Sequence, residues 1–174
     1  MSMYPIASIT LGSASSAVDF NSIPQTFTHL QIRFSIKSQS SSNDFSIGAN
    51  GSFSITNSSS HSLVGNGSAA SSGSWVSQSY ISPTNSGVGT SSFPSGSVGS
   101  GVMDILDYTN TNKTKVVRMI WGSDQNGAGF VSLFSGSLNT TSAITAFNLF
   151  NGYNWAAGSR FDLYGISTSA ATGA

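Results

Sequence analysis

Cysteine and glutamate are both missing from this chain of 174 residues, and only 7% of it is charged. Without cysteine there is no disulfide framework and no thiol chemistry, which leaves the redox compartment open. A soluble domain ordinarily carries about 25% charged residues. Six acidic residues, all Asp, and two His are the whole stock of side chains that commonly move protons or hold metals. The formal net charge is zero, so the chain has no electrostatic footprint for nucleic acid or an anionic membrane. No run approaches the roughly 18 apolar residues of a membrane span. Met1 to Leu11 has neither a basic region nor a continuous apolar core and is not read as a signal peptide. A soluble chain is expected, with no nucleic-acid partner and no membrane insertion.

What remains is 38% hydrophobic, with serine as the commonest residue and Gly, Thr and Asn beside it. Such residues build turns, strands and uncharged hydrogen-bonding surfaces, so the composition points to a structural or binding protein. Near-zero charge leaves little repulsion to oppose association. That property suits a repeated part of a larger particle, where each added charge would repel its neighbours.

Helix signals are sparse, because Gly, Ser and Thr interrupt every window of helical length. Strand signals recur. Leu30, Ile32, Phe34 and Ile36 alternate with His29, Gln31, Arg33, Ser35 and Lys37, the pattern of a half-buried strand. Phe45–Ala49 and Ser52–Thr56 flank Asn50-Gly51, a dipeptide that favours a type I′ hairpin turn. Further strands are expected at Ile6–Leu11, Trp75–Ile81, Val102–Tyr108, Val116–Trp121, Gly129–Phe134, Ile144–Phe150 and Arg160–Ile166. The whole chain, 1–174, reads as a single all-β domain, an antiparallel β-sandwich of jelly-roll-like type. Long Ser/Gly-rich loops are expected near 57–73 and 82–101, and Phe93 is placed to anchor the second onto a neighbouring subunit.

Several strands are apolar on both faces. Val117, Met119 and Trp121 line one side of their strand, while Val116 and Ile120 line the other. Phe130–Phe134 and Ile144–Phe150 behave alike. A two-layer sandwich needs one apolar face per strand, so the second must meet something. A crossing loop, a third layer or another chain could meet it; burial in an oligomer is favoured, with Phe93, Val116 and Ile120 as contacts.

The residues offer no catalytic constellation. His29 and His61 are not at metal-ligand spacing with a second strong ligand, and no G-x-S-x-G elbow occurs. Asp104 and Asp107 lie three apart on an expected strand, which sends them to opposite faces. Asp124-Gln125-Asn126-Gly127 lacks the further acidic ligands of a calcium loop and reads as a turn. Asn57, Asn66, Asn112 and Asn139 each open an N-x-Ser/Thr triplet, a chance result in so Ser- and Thr-rich a chain. No catalytic residue, cofactor or metal is expected. A sugar-stacking platform of Trp75, Tyr153 and Trp155 is the alternative use of the aromatic residues.

Two terminal stretches carry a family resemblance. Val18-Asp19-Phe20-Asn21-Ser22-Ile23-Pro24-Gln25-Thr26-Phe27-Thr28-His29-Leu30-Gln31-Ile32-Arg33 stands near the start, and Ala157-Gly158-Ser159-Arg160-Phe161-Asp162-Leu163-Tyr164-Gly165-Ile166 near the end. Together they resemble small virion structural proteins of tailed bacteriophages. The resemblance implies a virion component assembled in the host bacterial cytoplasm, with other virion proteins such as the major capsid protein as partners. No long helical or fibrous segment is present, which favours a compact capsid decoration (cement) protein acting as a homotrimer. A tail-fibre or baseplate head domain that binds host surface glycan is the alternative. Pro24 sets a turn that delivers the chain into the Leu30 strand. The Leu30 and Phe161 strands are expected to pair, with a polar ladder from Arg33 to Asp162. Replacing Arg160 by Ala is then expected to lower folding or assembly stability.

Overall fold

The strict alternation around Leu30 becomes strand β3, His29–Ile36, with Leu30, Ile32 and Ile36 fully buried. In this computed structural model residues 2–40, 45–53, 56–83, 94–124 and 128–168 are described. They form two antiparallel sheets and no helix among the described residues. The larger sheet is assembled from β1 (Ser2–Thr10), β11 (Arg160–Ser167), β3, β7 (Gly99–Leu106), β8 (Val116–Asp124), β9 (Gly129–Ser137), β5 (Ser58–Gly65) and β6 (Ala70–Gln78), in that spatial order. The smaller sheet has the order β2 (Ser15–Phe20), β10 (Phe147–Trp155) and β4 (Phe45–Ala49). The fold is therefore an antiparallel all-β sandwich, as the strand spacing predicts, with its strands divided eight and three.

The core lies between the sheets. Ile32, Met103, Val117, Met119 and Leu163 face it from the larger sheet, and Val18, Phe45, Ile47, Phe147 and Leu149 from the smaller. Gly101 sits between Phe34 and Trp121 on the inner face, where an added Cβ would lie 2.6 Å from the Phe34 ring and 2.4 Å from the Trp121 Cβ. Its missing side chain makes room for two aromatic neighbours.

The Asn50-Gly51 turn forms as the dipeptide predicts. Both residues have positive φ, 53° and 79°, and Ala49 and Ser52 exchange backbone hydrogen bonds at 3.0 Å. The strand expected after it does not extend as a ladder: Ser52 makes a single bridge to Ala49, and residues 54–55 lie outside the described set.

The segment 57–73 departs from expectation. Instead of a loop it supplies β5 and the first part of β6. Ladders on both sides of β5, to β6 and to β9, satisfy its backbone, so tertiary pairing overrides weak local preference. Ser58, Ser60, Ser62 and Val64 point inward, where small side chains fit beneath their neighbours. Asn66 closes the hairpin, its side-chain oxygen accepting from the backbone N–H groups of Ser68 and Ala69. Of the second expected loop, residues 84–93, including Phe93, lie outside the described residues, and Gly99–Gly101 already belong to β7. Strand β2 was not foreseen, because its Ser- and Ala-rich start masks the inward Val18 and Phe20.

Strands β3 and β11 pair, and Asp162 stands opposite Arg33 as expected. The ion pair of the expected ladder is drawn elsewhere. Asp162 accepts two bonds from Nε of Arg160, at 2.9 and 3.0 Å. Arg33 donates to Gln31 and lies over the Tyr164 ring, 5.4 Å from its centre. Arg160 is two residues from Asp162 on the same face of one strand, which makes it the nearer cation.

Candidate interaction surface

Alternation along β5, β9, β8 and β7 sends every second side chain to the outer face of the larger sheet. The ladders align Leu63, Leu133, Ile120 and Val102 in one row across these four strands. Leu63, Leu133 and Ile120 are 53%, 54% and 55% exposed, and nearby Val131 is 57% exposed. Val116 lies on the same face at 37%. The second apolar face read from the β8 sequence is thus open to solvent, with Val116 and Ile120 on it.

The second face of β10 is covered within the chain. Phe53 packs on Phe150 with ring centres 5.6 Å apart. The same stretch lies against Gly48, where a Cβ would be 2.5 Å from the Ser52 carbonyl oxygen. One of the doubly apolar strands therefore has its partner at home, and for β8 with β9 none is found among the described residues.

Beside the apolar row runs His61, Ser135, Arg118 and Asp104, again aligned by the ladders. A shallow groove of about 370 Å³ lies here, bounded by His61, Leu63, Arg118, Leu133 and Ser135. Asp104 accepts from the Gln31 amide at 2.9 Å and stands 3.7 Å from the Arg118 guanidinium, so the charges on this face are balanced. His61 shares a hydrogen bond with the Ser74 hydroxyl at 3.1 Å.

A second group of titratable side chains holds the loop after β7. His29 Nδ1 accepts from the backbone N–H of Asp107 at 2.9 Å. The Lys113 ammonium bonds Asp107 at 2.8 Å and holds its carboxyl below the usual carboxylate range. Asp107 follows the end of β7 with φ of 48°, so it does not sit on the strand face opposite Asp104. Among the described residues no three His, Cys, Asp or Glu side chains converge as a metal site. No helix there is long and apolar enough to cross a membrane. Of the turn expected over Asp124–Gly127, residues 125–127 lie outside the described residues.

The three residues of the expected saccharide platform are separated. Trp155 is 0% exposed, in edge contact with Phe45 at 5.2 Å and with Phe161 at 5.6 Å. An aromatic face that a sugar stacks on must be open, so Trp155 belongs to the core. Trp75 is half-buried on β6, with its indole folded over Gly73 of the same strand. Tyr153 is exposed in a bulge of β10 in the other sheet, where its N–H donates to the Asn151 side chain at 2.9 Å. A different feature brings an aromatic ring and polar groups together. An open cleft of about 410 Å³ beside the β5–β6 turn is bordered by Asn66, Ser123, Asp124 and Phe130. Its Asn66-Gly67 turn signal stands in the sequence within the segment expected to be loop.

One buried charge gave no sequence signal at all. Lys115 is 0% exposed, and its ammonium donates to the carbonyls of Asn110, Lys113 and Thr141. Burial pushes its amine below the ordinary lysine value, and the Asp107 carboxylate opposes that shift.

No family model matches the chain, and comparison with the curated proteins and with the solved structures gives no match.

Proposed function

We propose that the chain is a non-enzymatic structural component of a tailed-phage virion, working as a capsid decoration (cement) protein. The observation that carries this reading is the open apolar row Leu63–Leu133–Ile120–Val102 on an otherwise hydroxyl-covered, charge-balanced sheet. A neutral face with an apolar centre suits a contact between closely spaced copies or neighbours. The terminal resemblance supports the same reading, since its two stretches meet as the paired strands β3 and β11. The mechanism is burial of this surface in the assembled shell. Binding to the assembled state and not to its parts stabilises the shell by mass action.

The second reading is a tail-fibre or baseplate head domain for host saccharide. The cleft with Phe130, Asn66 and Asp124 favours it, because an aromatic ring beside amide and carboxylate groups suits sugar hydroxyls. Mass spectrometry of purified particles separated into heads and tails tests the two. A decoration protein tracks with heads at high copy. Recovery only with tails at low copy moves the saccharide reading to first place, and absence from both removes the virion reading.

A further inference from the structure

The outer face of β5, β9, β8 and β7 has a size pattern that single strands do not reveal. About the central row, each strand carries one large and one small residue, two positions away on either side. Around Leu63 they are His61 and Gly65, and around Leu133 they are Ser135 and Val131. Around Ile120 they are Arg118 and Gly122. A two-fold axis laid along the row exchanges the two flanks. It then sets His61 over the partner's small Gly65 position, Val131 over Ser135 and Arg118 over Gly122, while the row meets itself.

We infer that this face pairs with a second copy of the chain through a two-fold axis along the Leu63–Leu133–Ile120 row. The inference rests on the reading of this surface as an assembly contact, and it puts a two-fold pair in place of the homotrimer expected from the sequence. An isologous contact demands self-complementarity, and alternating large and small residues provide it. Two sheet faces then pack about 10 Å apart with interdigitated side chains. Leu63, Leu133, Ile120, Val131 and Val116 are all exposed on this one face, and apolar patches beyond a few hundred Å² mark interaction sites. The flanking His61, Ser135 and Arg118, all exposed, widen the contact beyond the apolar row, as a standard interface of roughly 800 Å² per partner requires. Charge also permits it. The exchange sets Arg118 over glycine, and the chain's zero net charge adds no repulsion between copies.

The absence of native cysteine makes the test clean. Light scattering of the purified full chain at about 0.1 mM, where even a micromolar pair is almost fully formed, is expected to give twice the 17.9 kDa monomer mass. Leu133→Lys replaces an outward side chain, so the fold persists, and the mass falls to that of the monomer. Leu133→Cys, on the axis, is expected to react with a maleimide reagent at least tenfold more slowly than Tyr153→Cys, exposed on the other sheet. A wild-type monomer, a trimer, or a dimer indifferent to Leu133→Lys overturns the inference, as does equally fast labelling of the two cysteine variants. A monomeric chain that still tracks with heads rejects the paired copy and leaves the virion reading standing. A dimer absent from particles does the reverse.

Discussion

The ammonium of Lys115 donates a hydrogen bond to the carbonyl of Thr141 at 3.2 Å, joining the turn after β7 to the connection between β9 and β10. Its other partners, Asn110 and Lys113, are carbonyls of the first turn, so one buried cation ties two loops at the same end of the sandwich. Backbone bonds from Lys115 to Thr140 and from Leu138 to Lys115 reinforce the tie. Lys115→Met keeps the length of the side chain and removes the donors. Stranding a buried carbonyl costs about 1–3 kcal/mol, and a loss of that order is expected in urea unfolding. An unchanged midpoint would show that water replaces the ammonium without cost.

Acid is expected to destabilise the fold through two carboxylates. The Lys113 hydrogen bond lowers the Asp107 carboxyl, and the Arg160 hydrogen bond lowers that of Asp162. Both folded values lie below the ordinary 3.8. The unfolded chain therefore takes up protons first as pH falls, so this stability is present above 3.8 and disappears as pH drops through the folded values. Melting curves against pH are expected to decline in that acid window, and Asp162→Asn to flatten the decline. A slope unaltered by that substitution contradicts the assignment.

Five buried side-chain atoms have no partner among the described residues, and three of them are serine hydroxyls on the inner face of β5, β8 and β9. Ser132 is 1% exposed and lies opposite Trp121, whose Nε1 is also unpartnered. Removing an unsatisfied buried hydroxyl relieves its desolvation penalty. Ser132→Ala is therefore expected to leave the melting temperature unchanged or raise it. A clear drop would reveal a partner for that hydroxyl, such as ordered water.

Aromatic and charged positions at the terminal motif are expected to separate sharply. Trp155→Ala empties a fully enclosed site between Phe45 and Phe161, and truncating a core Trp costs about 3–5 kcal/mol. Tyr153→Ala, at an exposed bulge, should melt like the parent. Arg160→Ala is expected to lower melting only slightly, because the pair it forms with Asp162 is largely solvated on the Arg160 side. A large loss from Arg160→Ala would reinstate the stronger role that the sequence motif suggests for it.

Legibility followed the length scale of each signal. The alternation in β3 and the Asn50-Gly51 turn are local, and both appear as read. Pairing of β3 with β11, down to Arg33 opposite Asp162, was also legible, although the choice of cation was not. Strand β5 was hidden because a serine-rich segment has little preference of its own and takes its strand state from β6 and β9. The open face of β8 was visible as a doubly apolar pattern. Only packing could show that Phe53 covers the equivalent face of β10, and only the ladders that Leu63 and Leu133 extend the β8 row.

The most direct test of the assembly reading is cysteine protection at position 120 in particles. Particles carrying Ile120→Cys would be exposed to a maleimide reagent intact and after dissociation into separate chains, with Tyr153→Cys as the exposed comparison. The account predicts that residue 120 is protected in the intact particle and labelled on dissociation, in step with burial of the Leu63–Leu133–Ile120 row. Rapid labelling of residue 120 in intact particles would contradict it, because the face proposed to hold the assembly together would then be open to solvent.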